Sequence, residues 1–198
     1  KIISAAGRLG VDSARCVYIM DFLGEHKDEV QLYYEMERTH QYEILREVLG
    51  ATDEEAADYN WMYNRICDYG IYCFQEDYYK YPEIRWSARG MQQIPHEFTK
   101  LCLSLGQFRN IKSAIEVGVF KGLSSYFMCA VLSRRNPDLV YTQVDIEDRL
   151  ENFEEFKSIL PALRKQIPST SDDYIGRNYD YVFIDADHSY DGSMKDYL

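Results

Sequence analysis

The chain has 198 residues, 46% of them hydrophobic, and a formal net charge of −11. That length and apolar content suit one large domain or a moderate domain with a smaller appendage, and they exclude a wholly disordered chain. No apolar run approaches the roughly 18 residues a membrane span needs, and acids spread along the whole chain repel a phosphate backbone, so neither membrane nor nucleic acid is expected as a partner.

The five cysteines are scattered without a CxxC pair. Such a set fits reduced thiols in a cytoplasmic protein better than zinc or a redox motif. The opening "KIISAAGRLG" has neither an initiator methionine nor the apolar core of a signal peptide, which suggests a trimmed or internal start rather than secretion.

From residue 11 to about 73 the periodicity is helical. Val30, Tyr33, Tyr34 and Met36, then Ile44, Leu45, Val48 and Leu49, recur at three-to-four-residue spacing. In "ATDEEAADYN", Thr52 or Asp53 can cap a helix whose first turn carries acids where the dipole favours them. The aromatic stretch "YCFQEDYYKYPEIRWSARG" contains Pro82 and reads as a linker, its tyrosines as packing and interface surface or the lining of a substrate pocket. Residues 1–87 are therefore expected to form a helical region, acting as a lid or as the surface of a homo-oligomer, most simply a dimer.

After Gly90 the pattern changes to alternating helices and strands. "IPHEFTKLCLSLGQF" reads as a helix with Pro95 in its first turn. "SAIEVGV" reads as a buried strand, "GLSSYFMCAVLSRR" as a helix and "LVYTQVDI" as a strand. "NFEEFKSILPAL" reads as a helix, and "YDYVFIDAD" as another strand. The expected fold over residues 88–198 is α/β, a Rossmann-like doubly wound parallel sheet.

In such a sheet ligands bind outside the carboxyl ends of the strands. Glu116, Gly118 and Gly122 fall where the first strand turns into its helix, whose first N–H groups lack intrahelical acceptors. The segment "GVFKGLSS" has no Gly-Lys-Ser/Thr, so a P-loop is ruled out. It also lacks GxGxxG, which disfavours an NAD(P) oxidoreductase. A fixed carboxylate suits an amine or a sulfonium better than a pyrophosphate, and this points to S-adenosylmethionine. Asp145, ending the next strand, stands where an acid can accept from ribose hydroxyls, a placement that NAD proteins share.

In these motifs, and in their order, the chain resembles the class I S-adenosylmethionine-dependent methyltransferases. "IEVGVFKGLSS" and "VDI" look like the first two motifs of that family. "YDYVFIDADHSYDG" and the upstream "GMQQIPHEF" look like the branch that holds catechol-type and macrolide-sugar O-methyltransferases and cephalosporin-hydroxylase-like proteins. The resemblance implies that Glu116, Gly118 and Gly122 hold the methionyl part of the donor and Asp145 its ribose. Asp173, or its neighbour Asp172, would lie near adenine.

"FIDADHSYDG" places Asp185, Asp187 and His188 at a strand's carboxyl end. Methyl transfer to oxygen is an in-line displacement that wants a deprotonated acceptor. A divalent ion held by carboxylates or a nearby imidazole can provide that. By resemblance, Asp185 would bind Mg2+ and His188 would take the proton, at a position where the family often has lysine. The expected activity is O-methylation of a small hydroxylated acceptor, such as a sugar or a natural-product intermediate. The alternative is a catalytically silent Rossmann-like assembly module.

Two features sit awkwardly with a complete fold of that class. The stretch from Asp145 to Asp180 is short for a helix, a strand and a crossover. Thirteen residues follow Asp185, too few for a seven-stranded sheet. Either the third unit is shortened or residues are missing from the sequence, and after the fourth strand the expectation is a fragment, further missing residues, or an apolar edge covered by something else.

Overall fold

A computed structural model describes residues 27–70, 91, 93–174, 176–186, 189, 191, 192 and 194, with side chains from residue 38 onward. The aromatic linker read between residues 72 and 90 lies outside the described residues, as do Asp187 and His188.

Helix α1 spans Lys27–Gly50, α2 Asp53–Ala57 and α3 Tyr59–Gly70. Thr52 starts α2 with a reciprocal capping box: its hydroxyl accepts from the Glu55 N–H, and the Glu55 carboxylate accepts from the Thr52 N–H. The Met91 N–H donates to the Gly70 carbonyl at 2.9 Å.

Helix α4, Pro95–Leu105, opens on proline and ends at Gly106. It leads into strand β1, Ser113–Val117, helix α5, Leu123–Ser133, and strand β2, Val140–Val144. Helix α6 runs over Phe153–Ile159 and ends two residues before Pro161, because Leu160, the residue preceding the proline, is pushed out of the helical region. Strand β3, Leu163–Gln166, and strand β4, Tyr181–Ile184, complete the sheet. Between them stands a single 3-10 turn, Ser171–Tyr174, in place of a crossover helix. The third unit is thus shortened, which is how the segment after Asp145 fits its length.

All pairings are parallel, in the order β3-β2-β1-β4. This is the Rossmann-like α/β fold expected from the alternating pattern. One face of the sheet carries the main core. Ala114, Tyr141 and Leu163 from three strands meet Phe127 and Leu132 of α5, Phe98 of α4, and Ile44, Leu45, Met62 and Ile66 of the helical region. The first helices and the sheet thus share one continuous core, and α5 is buried from Leu123 to Leu132 between them. Arg134 at its end donates to the Asp53 carboxylate at 2.7 Å and to the Ala51 carbonyl at 3.1 Å, tying it to the start of α2.

The opposite face is covered more thinly. Ile115, Val117 and Val144 pack there against Tyr174, Tyr179 and Ala186. Strand β4 forms one edge, and Val182 on it is 51% exposed.

Candidate functional site

The carboxyl ends of β2, β1 and β4 lie side by side at one end of the sheet, where ligands of open parallel sheets bind. Two bonds carry the ladder past the strands: the Gly118 N–H donates to the Val144 carbonyl, and the Asp185 N–H to the Val117 carbonyl, each at 2.9 Å. Glu116, Gly118, Asp145 and Asp185 are therefore neighbours across the middle of the sheet, as their order in the sequence suggested.

Both glycines of the turn have left-handed backbone, with φ of +86° at Gly118 and +84° at Gly122. A Cβ on Gly118 would lie 2.4 Å from the Ala186 Cα, and one on Gly122 would lie 2.6 Å from the Leu150 side chain and 2.8 Å from the Tyr126 ring. Sequence reasoning assigned the missing side chains to the close approach of a ligand. The space they free is taken by protein: Gly118 lets the turn cross the end of β4, and Gly122 lets α5 begin against Leu150.

Glu116 points into the main core, on the same side of β1 as Ala114. It has no solvent exposure. Its Oε2 accepts a 2.6 Å hydrogen bond from the Tyr141 hydroxyl, whereas Oε1 has no partner. Burial pushes its pKa up to about 7, with the nearby Asp185 carboxylate acting in the same direction and the hydroxyls of Ser125, Tyr141 and Ser124 opposing it. Near neutral pH this carboxyl group lies close to its titration midpoint.

Asp145 is fixed by the turn it faces. Its Oδ2 accepts the Phe120 N–H at 2.9 Å, and its Oδ1 accepts the Glu147 N–H at 3.2 Å. Phe120 has φ of +49°, an uncommon conformation for a residue with a side chain, and the Asp145 carboxylate is what its N–H meets there. Each carboxylate oxygen retains a second lone pair for a ribose hydroxyl. Next to it Ile146 is 74% exposed, an apolar side chain at the mouth of the crevice that sequence reasoning did not single out. Its signal was the apolar residue directly after the acid that closes β2.

Asp173 lies in the 3-10 turn after β3. Its Oδ2 accepts from the Ser169 hydroxyl at 2.6 Å and from the Thr170 N–H at 3.2 Å, and these bonds hold its carboxyl below the usual range. It shapes this loop whatever else it meets.

Asp185 closes β4, and its Oδ2 accepts from the Gln93 side-chain amide at 3.2 Å. Gln93 comes from the approach to α4, 92 residues earlier, and its own Oε1 is buried without a partner among the described residues. No local pattern in the sequence reveals that pair. Beyond Asp185, the Gly192 N–H donates to the Ser189 hydroxyl at 3.1 Å as a helical stretch begins. Asp187 and His188, between them, lie outside the described residues.

Among the described residues, no group of three His, Cys, Asp or Glu side chains could hold a metal ion. No helix among them is long and apolar enough to cross a membrane.

Residues 115–198 match a family model described as a methyltransferase domain. The matched segment starts one residue before Glu116 and takes in both glycines, Asp145, Asp173 and Asp185. It marks the part of the chain from β1 onward as similar to a methyltransferase domain. A search of curated proteins gave no match to the chain.

Proposed function

We propose that the chain transfers a methyl group from S-adenosylmethionine to a hydroxyl oxygen of a small acceptor, such as a sugar or a natural-product intermediate. The observation that carries this reading is the crevice itself. A glycine turn, a buried carboxylate and a second carboxylate on the neighbouring strand stand together at the carboxyl ends of parallel strands, inside the segment that matches a methyltransferase domain.

The residues suit the donor. Glu116 keeps an unpaired oxygen, Oε1, at the base of the turn, and a negative charge in so dry a place attracts a cationic amine or sulfonium strongly. Asp145 takes the ribose hydroxyls, its orientation set by the Phe120 and Glu147 N–H groups. Ile146 offers an apolar surface to the purine, with Asp173 at the rim. S-adenosylmethionine, when bound, supplies an electrophilic methyl group. Orientation within the crevice and exclusion of water are what these side chains contribute.

On the acceptor side, His188 takes the hydroxyl proton and Asp185 orients the acceptor. Asp185 is one carboxylate, with an oxygen already accepting from Gln93. That falls short of the near-octahedral oxygen set that magnesium takes, so no step is routed through an ion. The helical region, continuous with the core, is read as a cover for the acceptor side or as a dimer surface, in a cytoplasmic protein.

The direct test is formation of S-adenosylhomocysteine when the protein is incubated with the donor and a panel of hydroxylated sugars, catechols and polyketides. Donor-dependent product with any of them supports the reading. Donor binding with no transfer to any acceptor favours the silent assembly module.

A further inference from the structure

Strands β1 and β2 set Glu116 and Gln143 side by side as register partners. Both are fully buried. Among the described residues, neither atom of the Gln143 side-chain amide has a hydrogen-bond partner, and the same is true of Glu116 Oε1 and Ser125 Oγ. Ser125 stands in the first turn of α5, close enough to Glu116 for its hydroxyl to favour the charged carboxylate. Four unpartnered polar atoms thus belong to three residues that converge beneath the glycine turn.

An unpaired buried polar atom costs about 1–3 kcal/mol. Folded proteins pair nearly all such atoms, using ordered water where no protein group reaches. A water needs two to four polar partners. An amide that donates and accepts, a hydroxyl that does both and a carboxylate oxygen that accepts meet that need. An apolar residue at position 143 would pack there without this requirement, so the glutamine has to be explained by what it binds.

Solvent does not reach Glu116 Oε1, so an ammonium arriving at the turn cannot touch it directly in this arrangement. We propose that the donor's ammonium is recognised through water held by Gln143, Ser125 and Glu116, which makes Gln143 a positioning residue of the donor site. In this arrangement the ammonium donates to the water, and the water donates to Glu116 Oε1 and to the Gln143 carbonyl oxygen. The Ser125 hydroxyl donates to the water's second lone pair and completes its four bonds. This rests on the S-adenosylmethionine reading above.

The probe is a pair of ligands: S-adenosylmethionine, and 5′-methylthioadenosine, which keeps the nucleoside, carries a neutral thioether in place of the sulfonium and has no amino-acid part. Each is titrated calorimetrically into the parent protein, Gln143→Met and Ser125→Ala. The expected result is a loss of about tenfold in affinity for S-adenosylmethionine in each variant, the scale of one buried hydrogen bond, with 5′-methylthioadenosine bound as by the parent. Unchanged S-adenosylmethionine affinity in folded Ser125→Ala, which loses a single oxygen atom, overturns the proposal. So does an equal loss for both ligands, which reports general distortion. A parent protein that binds neither ligand contradicts the underlying donor reading as well, and so is distinguished from failure of the water-mediated contact alone.

Discussion

Tyr141 donates its hydroxyl to Glu116 Oε2 at 2.6 Å across the β1–β2 ladder, from a position two residues behind Gln143, the register partner of Glu116. Both residues are fully buried, and together with the hydroxyls of Ser125 and Ser124 this bond favours the charged form of a carboxyl group in an apolar core. Removing it by Tyr141→Phe leaves both oxygens of Glu116 without a hydrogen-bond donor of good geometry. The expected cost is about 1–3 kcal/mol at pH 8, and less at pH 5, where the acid is protonated. Urea unfolding at the two pH values checks this, and an equal loss at both would assign the bond to packing alone.

Glu116 also predicts how stability varies with pH. Its folded pKa, about 7, lies above the ordinary value of 4.5, so the folded chain binds the proton more tightly than the unfolded one. Stability from this group is complete below pH 4.5 and is lost as pH rises through about 7. The full effect is on the order of 3 kcal/mol. The depressed carboxyls of Asp173 and Asp180 act with the opposite sign, and in a more acidic range. Unfolding midpoints of the unliganded protein should fall between pH 5 and pH 8, and Glu116→Gln should flatten that slope.

Gly118→Ala forces a Cβ to within 2.4 Å of the Ala186 Cα at a φ of +86°. Backbone must move, because nothing flexible stands in the way. A destabilisation above about 2 kcal/mol is expected, together with loosening of β4 against β1. Thermal unfolding measures the first, and hydrogen exchange at residues 181–185 the second. A variant as stable as the parent would show that the turn is free of β4.

His188→Ala should leave donor affinity unchanged and slow methyl transfer by roughly 10²-fold, the scale of losing a general base. Unaltered turnover would remove His188 from the chemistry. Addition of EDTA is the parallel test for Asp185: activity that survives full chelation excludes a required ion, and activity restored by Mg2+ supports one.

Much of this site was legible because it is local. Glu116, Gly118 and Gly122 fall within seven residues, and the change from apolar strand to helix marks their place. Asp145 was found by the same logic, at the end of the next apolar run. Strand β3 was not read directly, since "LRKQ" has one buried residue of four and no clear alternation of apolar side chains. Its existence had to be inferred from the length of chain between two recognisable strands.

Other features depend on packing that a linear pattern does not carry. The Gln93–Asp185 pair joins residues 92 apart. Gln143 reads in sequence as a polar interruption of a strand, and only the register with Glu116 shows it as part of the site. The neighbours of the glycines are hidden for the same reason: a positive φ can be guessed from a motif, but the atoms that would meet a Cβ there belong to the end of β4, to Leu150 and to Tyr126.

The central claim is that the crevice at the carboxyl ends of β1 and β2 holds S-adenosylmethionine through Glu116 and Asp145. Calorimetric titration of the folded protein and of Asp145→Ala tests it most directly. Saturable binding of one donor per chain, weakened at least tenfold in the variant, is the predicted result. No heat from folded parent protein at near-millimolar donor, or equal affinity in parent and variant, would contradict it.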